Sequence, residues 1–402
     1  MKQKPELLAP AGNLEKARVA FAYGADAVYV GGNVFGLRKY ADNFSIQQLK
    51  TLLAIAKKKH KHVYVVLNAF AHNSDIDPLI TYIRQLDEVQ PHAVIVSDIG
   101  VARLVSQYSS IPIHASTQAS IAHAQGCDVW KSLGAKRVIL ARETSVEDCV
   151  TIKQHCPIEL EVFVHGAMCA SYSGKCVISN YASGRDSNRG GCVQSCRHNY
   201  VLYSPQDNSK ETSTHVMNAK DLMGIHQIPH IIDAQIESLK IEGRMKSNLY
   251  VANAVSVYRR AIDYCYSQIE AKKPIDQQLL EQFSQQLAGV SNRTFSSGGL
   301  KHRPGGESIH YAFSGYQKEL QYIGMVREID GAGNAVCDVK TAFQNTDALQ
   351  LISPQHHVES ITLTQCLDTQ FNPIKQAKPN SMVRVKARKP FAEHAILVKD
   401  VS

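Results

Sequence analysis

Short apolar runs recur along the first part of the chain, at residues 6–9, 27–30, 63–67, 93–96, 112–115, 137–140, 160–164 and 238–241. Unbroken runs of this length suit strands covered on both faces, where no polar side is needed. Between most of them lies a stretch with helical spacing of apolar positions, such as 14–23 and 46–59. Asn13 is a good N-cap for the first of these, and Gly24 can close it in a left-handed turn. A strand and a helix repeated eight times predict an α/β fold: a TIM-like (β/α) barrel over residues 1–300.

Chemistry in such barrels gathers where strands end. One or two residues past the runs stand Asn68, Asp98, Ser116 with Gln118, Arg142 with Glu143, His165, and Glu242 with Arg244; Arg38 lies in the loop after the second run. Polar residues are ordinary in loops, so each alone is a weak signal. Ionisable groups directly after VILA and LKI are harder to explain by solvation. Glu143, His165 and Glu242 are therefore the catalytic candidates. Arg38, Asn68, Gln118, Arg142 and Arg244 are candidates for holding a substrate, with Lys240 weaker because it lies within its strand.

The pattern breaks between the seventh and eighth runs. Residues 165–199 hold Cys169, Cys176, Cys192 and Cys196, with six, fifteen and three residues between them, among Arg185, Arg189, Arg197 and several glycines. A loop this long in a compact domain is usually functional. A hairpin over 200–218 follows, with strands at 200–203 and 214–217, and Asn218 as the cap of a helix from Lys220. The stretch 248–266 reads as another helix, and one more precedes the turn-rich SNRTFSSGGL. Beyond 300 the periodicity changes to two. Strands at 322–326, 335–339, 348–352, 359–364, 382–387 and 395–399 predict a small C-terminal antiparallel β-barrel domain over 301–402. In VRVKAR, Val383, Val385 and Ala387 face inward while Arg384, Lys386 and Arg388 face out beside Lys389, as a phosphate contact or as a plain solvated face.

Composition narrows the setting. With 44% hydrophobic and 20% charged residues, no signal-like start and no apolar window of spanning length, the expectation is a cytoplasmic protein without membrane contact. Thiols stay reduced there, which favours metal binding or chemistry over disulfides for clustered cysteines. The net charge of +8 is compatible with a polyanionic partner. The run Lys57-Lys58-Lys59-His60-Lys61-His62 falls at the N-terminal face of the barrel, away from the mouth, and reads as a solvated helix end.

Four thiolates suit an iron–sulfur cluster or another soft metal. Zinc sites usually pair ligands two to four residues apart at both ends, and only Cys192 and Cys196 approach that. Free thiols remain open, as does a single nucleophile: His165 lies four residues before Cys169 and Glu161 four before that, the makings of an activated Cys–His pair. The other six cysteines read as small buried hydrophobes.

ELLAPAGN, YGADAVYVGG, HASTQAS, RVILARE, EVFVHGAMCASYSGKCVIS and LKIEGR together resemble the collagenase-like "peptidase U" family, from about residue 5 to 300 and loosely into the β domain. The resemblance is closest to its prephenate-dependent tRNA-uridine hydroxylation branch. It implies a barrel-shaped catalytic domain, an iron–sulfur cluster on Cys169, Cys176, Cys192 and Cys196, and 5-hydroxylation of a wobble uridine with prephenate as co-substrate. Under that implication the arginines at the mouth would grip a dicarboxylate, Tyr172 or Tyr181 would stack the base, and Arg185, Arg189 and Arg197 would meet RNA phosphates. A second family subunit as partner, a collagenase-like peptidase and a non-catalytic iron–sulfur subunit are the alternatives.

Overall fold

The computed structural model describes residues 2–32, 43–204, 207–290, 292–312, 315–354 and 358–401. Arg38, one of the expected substrate residues, lies outside the described residues.

Seven strands and six helices alternate first: β1 (Glu6–Pro10), α1 (Leu14–Ala22), β2 (Ala27–Gly31), α2 (Ile46–Lys58), β3 (His62–Leu67), α3 (Ile76–Val89), β4 (Ala93–Val96), α4 (Ile99–Tyr108), β5 (Ile113–Ala115), α5 (Ala124–Ser132), β6 (Ala135–Ile139), α6 (Val146–His155) and β7 (Glu159–Gly166). The insertion follows, with α7 (Ile178–Ser183), the hairpin β8 (Tyr200–Ser204) and β9 (Asp207–Thr214), and β10 (Asp221–Met223). Helix α8 (Ile228–Asp233) then leads into β11 (Ser238–Ile241), α9 (Asn248–Glu270), α10 (Gln277–Ala288) and β12 (Phe295–Ser296). Strands β1 to β7 pair in parallel in sequence order, and β11 pairs in parallel with both β7 and β1, which closes an eight-stranded barrel.

Local chemistry matches the expectation at the first helix, where the Asn13 side chain accepts from the Lys16 amide at 3.0 Å. It departs from it after the hairpin. The second hairpin strand ends at Thr214 instead of beginning there, and the helix expected from Lys220 is replaced by β10. That strand runs antiparallel to the end of β7, with Leu222 opposite Gly166 and Met223 opposite His165. Tertiary pairing here overrides a local capping signal, and the helix starts later.

The barrel interior is unusual. Such interiors are generally filled by branched apolar side chains, but here Arg137 on β6 reaches Glu6 on β1 at 2.6 Å and Glu161 on β7 at 3.3 Å. Strands β6 and β1 are three places apart around the ring, so the bond crosses the inside. Lys240 on β11 donates to the other Glu161 oxygen at 2.8 Å, and its ammonium sits 4.5 Å from the Tyr29 ring centre. Burial raises the Glu6 carboxyl, but the His62 hydrogen bond, the Arg137 charge and Tyr64 outweigh it and hold it at about 2. These ions are partnered on every side, as buried charges must be.

The C-terminal unit is one seven-stranded antiparallel sheet built from β13 (Leu320–Ile329), β14 (Ala335–Val339), β16 (Leu349–Ile352), β17 (Val358–Ile361), β18 (Leu363–Leu367), β20 (Met382–Ala387) and β21 (Ile396–Asp400); β15 (Phe343–Gln344) and β19 (Gln376–Ala377) form a separate small pair. The run expected as one strand at 359–364 is two, β17 and β18, at opposite edges of this half-barrel. It packs beside the barrel and not over its mouth: the Tyr23 hydroxyl donates to Ile352 O at 2.7 Å, and Arg327 pairs with Glu15 at 2.8 Å. In β20, Val383 and Val385 are buried and Lys386 is exposed, while Arg384 lies over Phe371; just beyond the strand, Lys389 is paired with Glu359.

Candidate functional site

The insertion is pinned to the barrel mouth by hydrogen bonds from several strands' ends. Gly174 has φ +73° and its α-carbon faces the loop after β5 so closely that a β-carbon would lie 2.1 Å from Gln118 O. Next to it the Ser173 amide donates to Glu143 Oε1 at 3.0 Å, and the Ser173 hydroxyl accepts from the Arg142 amide at 3.1 Å. Further along, Arg189 donates to Asp75 and to Phe70 O, and the Phe70 amide returns a bond to Asn188 O at 2.9 Å. Arg197 spends its donors on Asn218 Oδ1, Ala219 O and Met168 O. Of the three arginines expected at an RNA backbone, two therefore hold the loop in shape, and only Arg185 is exposed.

This anchoring brings Cys169, Cys176, Cys192 and Cys196 to the lining of one cavity of about 500 Å³. None is in a disulfide; Cys169 and Cys192 are exposed and the other two half-buried. The Cys196 thiol is raised by burial, opposed by Arg197 and reinforced by the three other cysteines. Among the described residues, no group of three or more His, Cys, Asp or Glu side chains is arranged to hold a metal ion. Cys127, Cys149, Cys156, Cys265, Cys337 and Cys366 are buried.

Gln118, Arg142, Glu143, Tyr172 and Glu242 line the same cavity. The Arg142 guanidinium lies 4.1 Å from the Phe163 ring centre and bonds Ala167 O. Tyr172 is 71% exposed, free to meet a planar ligand. Three expected residues are not among the lining. Asn68 donates to Ser116 Oγ at 3.2 Å. Arg244 is buried against Gly31, where a β-carbon would meet its Nη1 at 2.1 Å. His165 is 1% exposed in a cage of Tyr250, Tyr258 and Phe295, 5.4 to 5.7 Å between ring centres. Burial lowers its pKa to about 3, so the ring is neutral, and neither nitrogen has a hydrogen-bond partner among the described residues. A catalytic imidazole was expected here; the antiparallel β10 and the helix α9 instead enclose it.

The opposite wall holds residues that the strand-end pattern did not single out. Lys246 and Arg293 both lie against the Tyr316 ring, at 4.0 and 4.3 Å from its centre, and Arg293 also donates to the Tyr316 hydroxyl. Arg293 is buried, 3.5 Å from Asp221 and bonded to Gln194 at 3.0 Å. Burial draws the Lys246 ammonium below its ordinary pKa, against the pull of Asp221 and Glu242. Lys246 lies five residues past the eighth strand in LKIEGRMK, beyond the one or two residues that the strand-end rule reads. Nothing in the local pattern marks Tyr316. Arg142, Arg197, Lys246 and Arg293 thus give the cavity lining four cationic side chains against two carboxylates, Glu143 and Glu242, a setting for an anionic ligand.

The profile described as Peptidase family U32 matches residues 12–310, and its C-terminal domain profile matches 318–397. A tRNA hydroxylation protein P1 of Bacillus subtilis is 38% identical over 96% of this chain and 93% of its own length. A 23S rRNA 5-hydroxycytidine C2501 synthase of Escherichia coli is 36% identical over 64% of this chain and 39% of its own. A protein named collagenase from Porphyromonas gingivalis is 31% identical over 79% of each. No helix among the described residues is long and apolar enough to cross a membrane.

Proposed function

The chain belongs to peptidase family U32, and from that premise we propose that it hydroxylates RNA: it adds a hydroxyl at C5 of the wobble uridine of tRNA, requiring prephenate and an iron–sulfur cluster held by Cys169, Cys176, Cys192 and Cys196. The observation that carries this reading is the gathering of four reduced cysteines on one cationic cavity at the barrel mouth. Tetrahedral zinc at about 2.3 Å from each thiolate needs sulfurs within roughly 3.8 Å of one another. The six-residue gap between Cys169 and Cys176 exceeds the two to four residues usual between paired zinc ligands, which supports a wider, multi-iron guest. Bound there, a cluster would supply electron transfer.

The chain's own residues have distinct tasks in this reading. Lys246 and Arg142 offer charge to a small dicarboxylate, with the Tyr316 ring beneath the Lys246 ammonium. Tyr172 offers a stacking face for a base taken out of the anticodon loop. Glu242 and Gln118 can orient polar edges beside it. The peptidase alternative needs an activated nucleophile, and His165 makes no hydrogen bond to Cys169.

The test is twofold. Wobble uridines from a strain lacking the gene should lose one oxygen's mass, and unchanged nucleoside spectra would refute the activity. Protein purified without oxygen should be coloured and contain iron. Colourless protein with stoichiometric zinc would refute the cluster.

A further inference from the structure

The chain leaves the barrel at Gly166 and returns at Asp221, and all four clustered cysteines lie on this excursion. Bringing the ends of so long a stretch together costs conformational freedom, and separate ties hold it at intervals. Cys176 is fixed through its carbonyl, which accepts from Asn188 Nδ2 at 3.1 Å; Asn188 O in turn accepts from the Phe70 amide at 2.9 Å. Gln194, between Cys192 and Cys196, receives Arg293 at 3.0 Å. Arg197 supplies a further tie, and this one joins the neighbours of the first cysteine and the last.

Arg197 directly follows Cys196, and Met168, whose carbonyl it holds, directly precedes Cys169. Its own backbone is set by a tight turn: the Arg197 amide donates to Gln194 O at 2.8 Å, and the Tyr200 hydroxyl donates to Ser195 O at 2.8 Å. On the far side Nη1 donates to Asn218 Oδ1 at 3.0 Å and to Ala219 O at 2.6 Å. Asn218 is fully buried and firmly placed, since the His310 amide donates to Asn218 O at 2.8 Å and Asn218 Nδ2 donates to His310 O at 3.2 Å. One planar guanidinium thus spans three segments: the start of the excursion, the fourth cysteine and the return to β10. A rigid fork of donors can meet all three acceptors at once, whereas a lysine ammonium is a single point on a flexible stem. The acceptors are neutral oxygens, so the arrangement depends on the fork's geometry and not on an ion pair.

Resting on the reading of the four cysteines as one binding site, we propose that Arg197 is the positioning residue of that site. It sets the separation of Cys169 and Cys196, and without its fork the four thiols do not close on a single guest.

The test uses the full chain, reduced and free of metal, with dibromobimane, a reagent that bridges two nearby thiols. Peptide mapping then gives the ratio of Cys169–Cys196 bridges to Cys192–Cys196 bridges; the second pair is close in sequence and serves as the internal reference. Arg197→Gln and Arg197→Lys should each lower this ratio about tenfold, the worth of one charged hydrogen bond. A general loosening of the fold would reduce both bridges and leave the ratio unchanged, and that result would overturn the proposal. So would a ratio restored by Arg197→Lys, which would show that charge alone suffices, or a wild type in which Cys169 and Cys196 never join. After anaerobic loading, both variants should hold iron roughly 10- to 100-fold less tightly against a chelator, as is usual when a group orienting metal ligands is lost; equal retention would also overturn it. A wild type that takes up neither iron nor zinc would overturn the reading of one binding site, and the bridge ratio would still decide whether Arg197 sets the spacing.

Discussion

Glu161→Gln tests the charged barrel interior most directly. The carboxylate is fully buried and receives Lys240 at 2.8 Å and Arg137 at 3.3 Å. Arg137 keeps Glu6 and Glu159 as partners, whereas Glu161 is the only carboxylate that the structure records at Lys240 among the described residues. The substitution leaves an ammonium, 4% exposed, between the rings of Tyr29 and Phe163 with the charges of Arg137 and Arg142 nearby. Breaking one partner of a buried pair costs about 3–5 kcal/mol. At a urea slope of roughly 3 kcal/mol/M, a loss of about 4 kcal/mol lowers the unfolding midpoint by about 1.3 M. The sign of the pH response follows. Burial already draws the Lys240 pKa down and Glu161 opposes it, so removing Glu161 lowers it further. The unfolded chain then holds the proton up to about 10.4 while the folded one has shed it. Stability of the variant therefore rises as pH is raised toward 10, more steeply than in the wild type. Glu161→Gln combined with Lys240→Met removes both charges and should recover most of the loss. A single-variant midpoint within 0.3 M (about 1 kcal/mol at that slope) of wild type, or a double variant no better than the single, would refute the claim that pairing governs this interior.

Three further outcomes are expected. His165→Phe keeps an aromatic ring in the cage and removes two unpartnered nitrogens, so stability should hold or rise by about 1 kcal/mol and hydroxylation should persist; loss of turnover with an unchanged unfolding midpoint would restore a chemical role to the imidazole. Glu6, held near 2 in the folded state against about 4.3 when unfolded, contributes stability that is complete above the unfolded value and is lost as pH falls through the folded one; Glu6→Gln should flatten the acid limb of the pH–stability curve between about 4.5 and 2, and an unchanged limb in acid titrations of unfolding would contradict the network. Arg189→Ala releases the cysteine segment from Asp75 and Phe70 O, so limited proteolysis should cut within 184–194 sooner than in the wild type while the barrel fragment survives; equal digestion rates would show that the ion pair does not hold the loop.

The chain pattern by itself determined the eight-strand barrel, the antiparallel unit beyond it and the four cysteines as one group. Each rests on local information: runs buried on both faces, a change of period, and thiols close in sequence. Glu143, Arg142, Gln118 and Glu242 were legible for the same reason, because a strand's end dictates where the next residue points. Tertiary structure decided the rest. Arg189 and Arg197 looked like RNA contacts because sequence records a charge but not the carbonyls and carboxylate that consume its donors. His165 looked catalytic until β10, pairing back on β7, and α9 buried it. Tyr316 and Arg293 reach the cavity from beyond the barrel strands, and Lys240 is stable inside because Glu161, distant in sequence, lies across one strand interface. Burial and partnership depend on which segments meet, and that is decided only when the barrel closes.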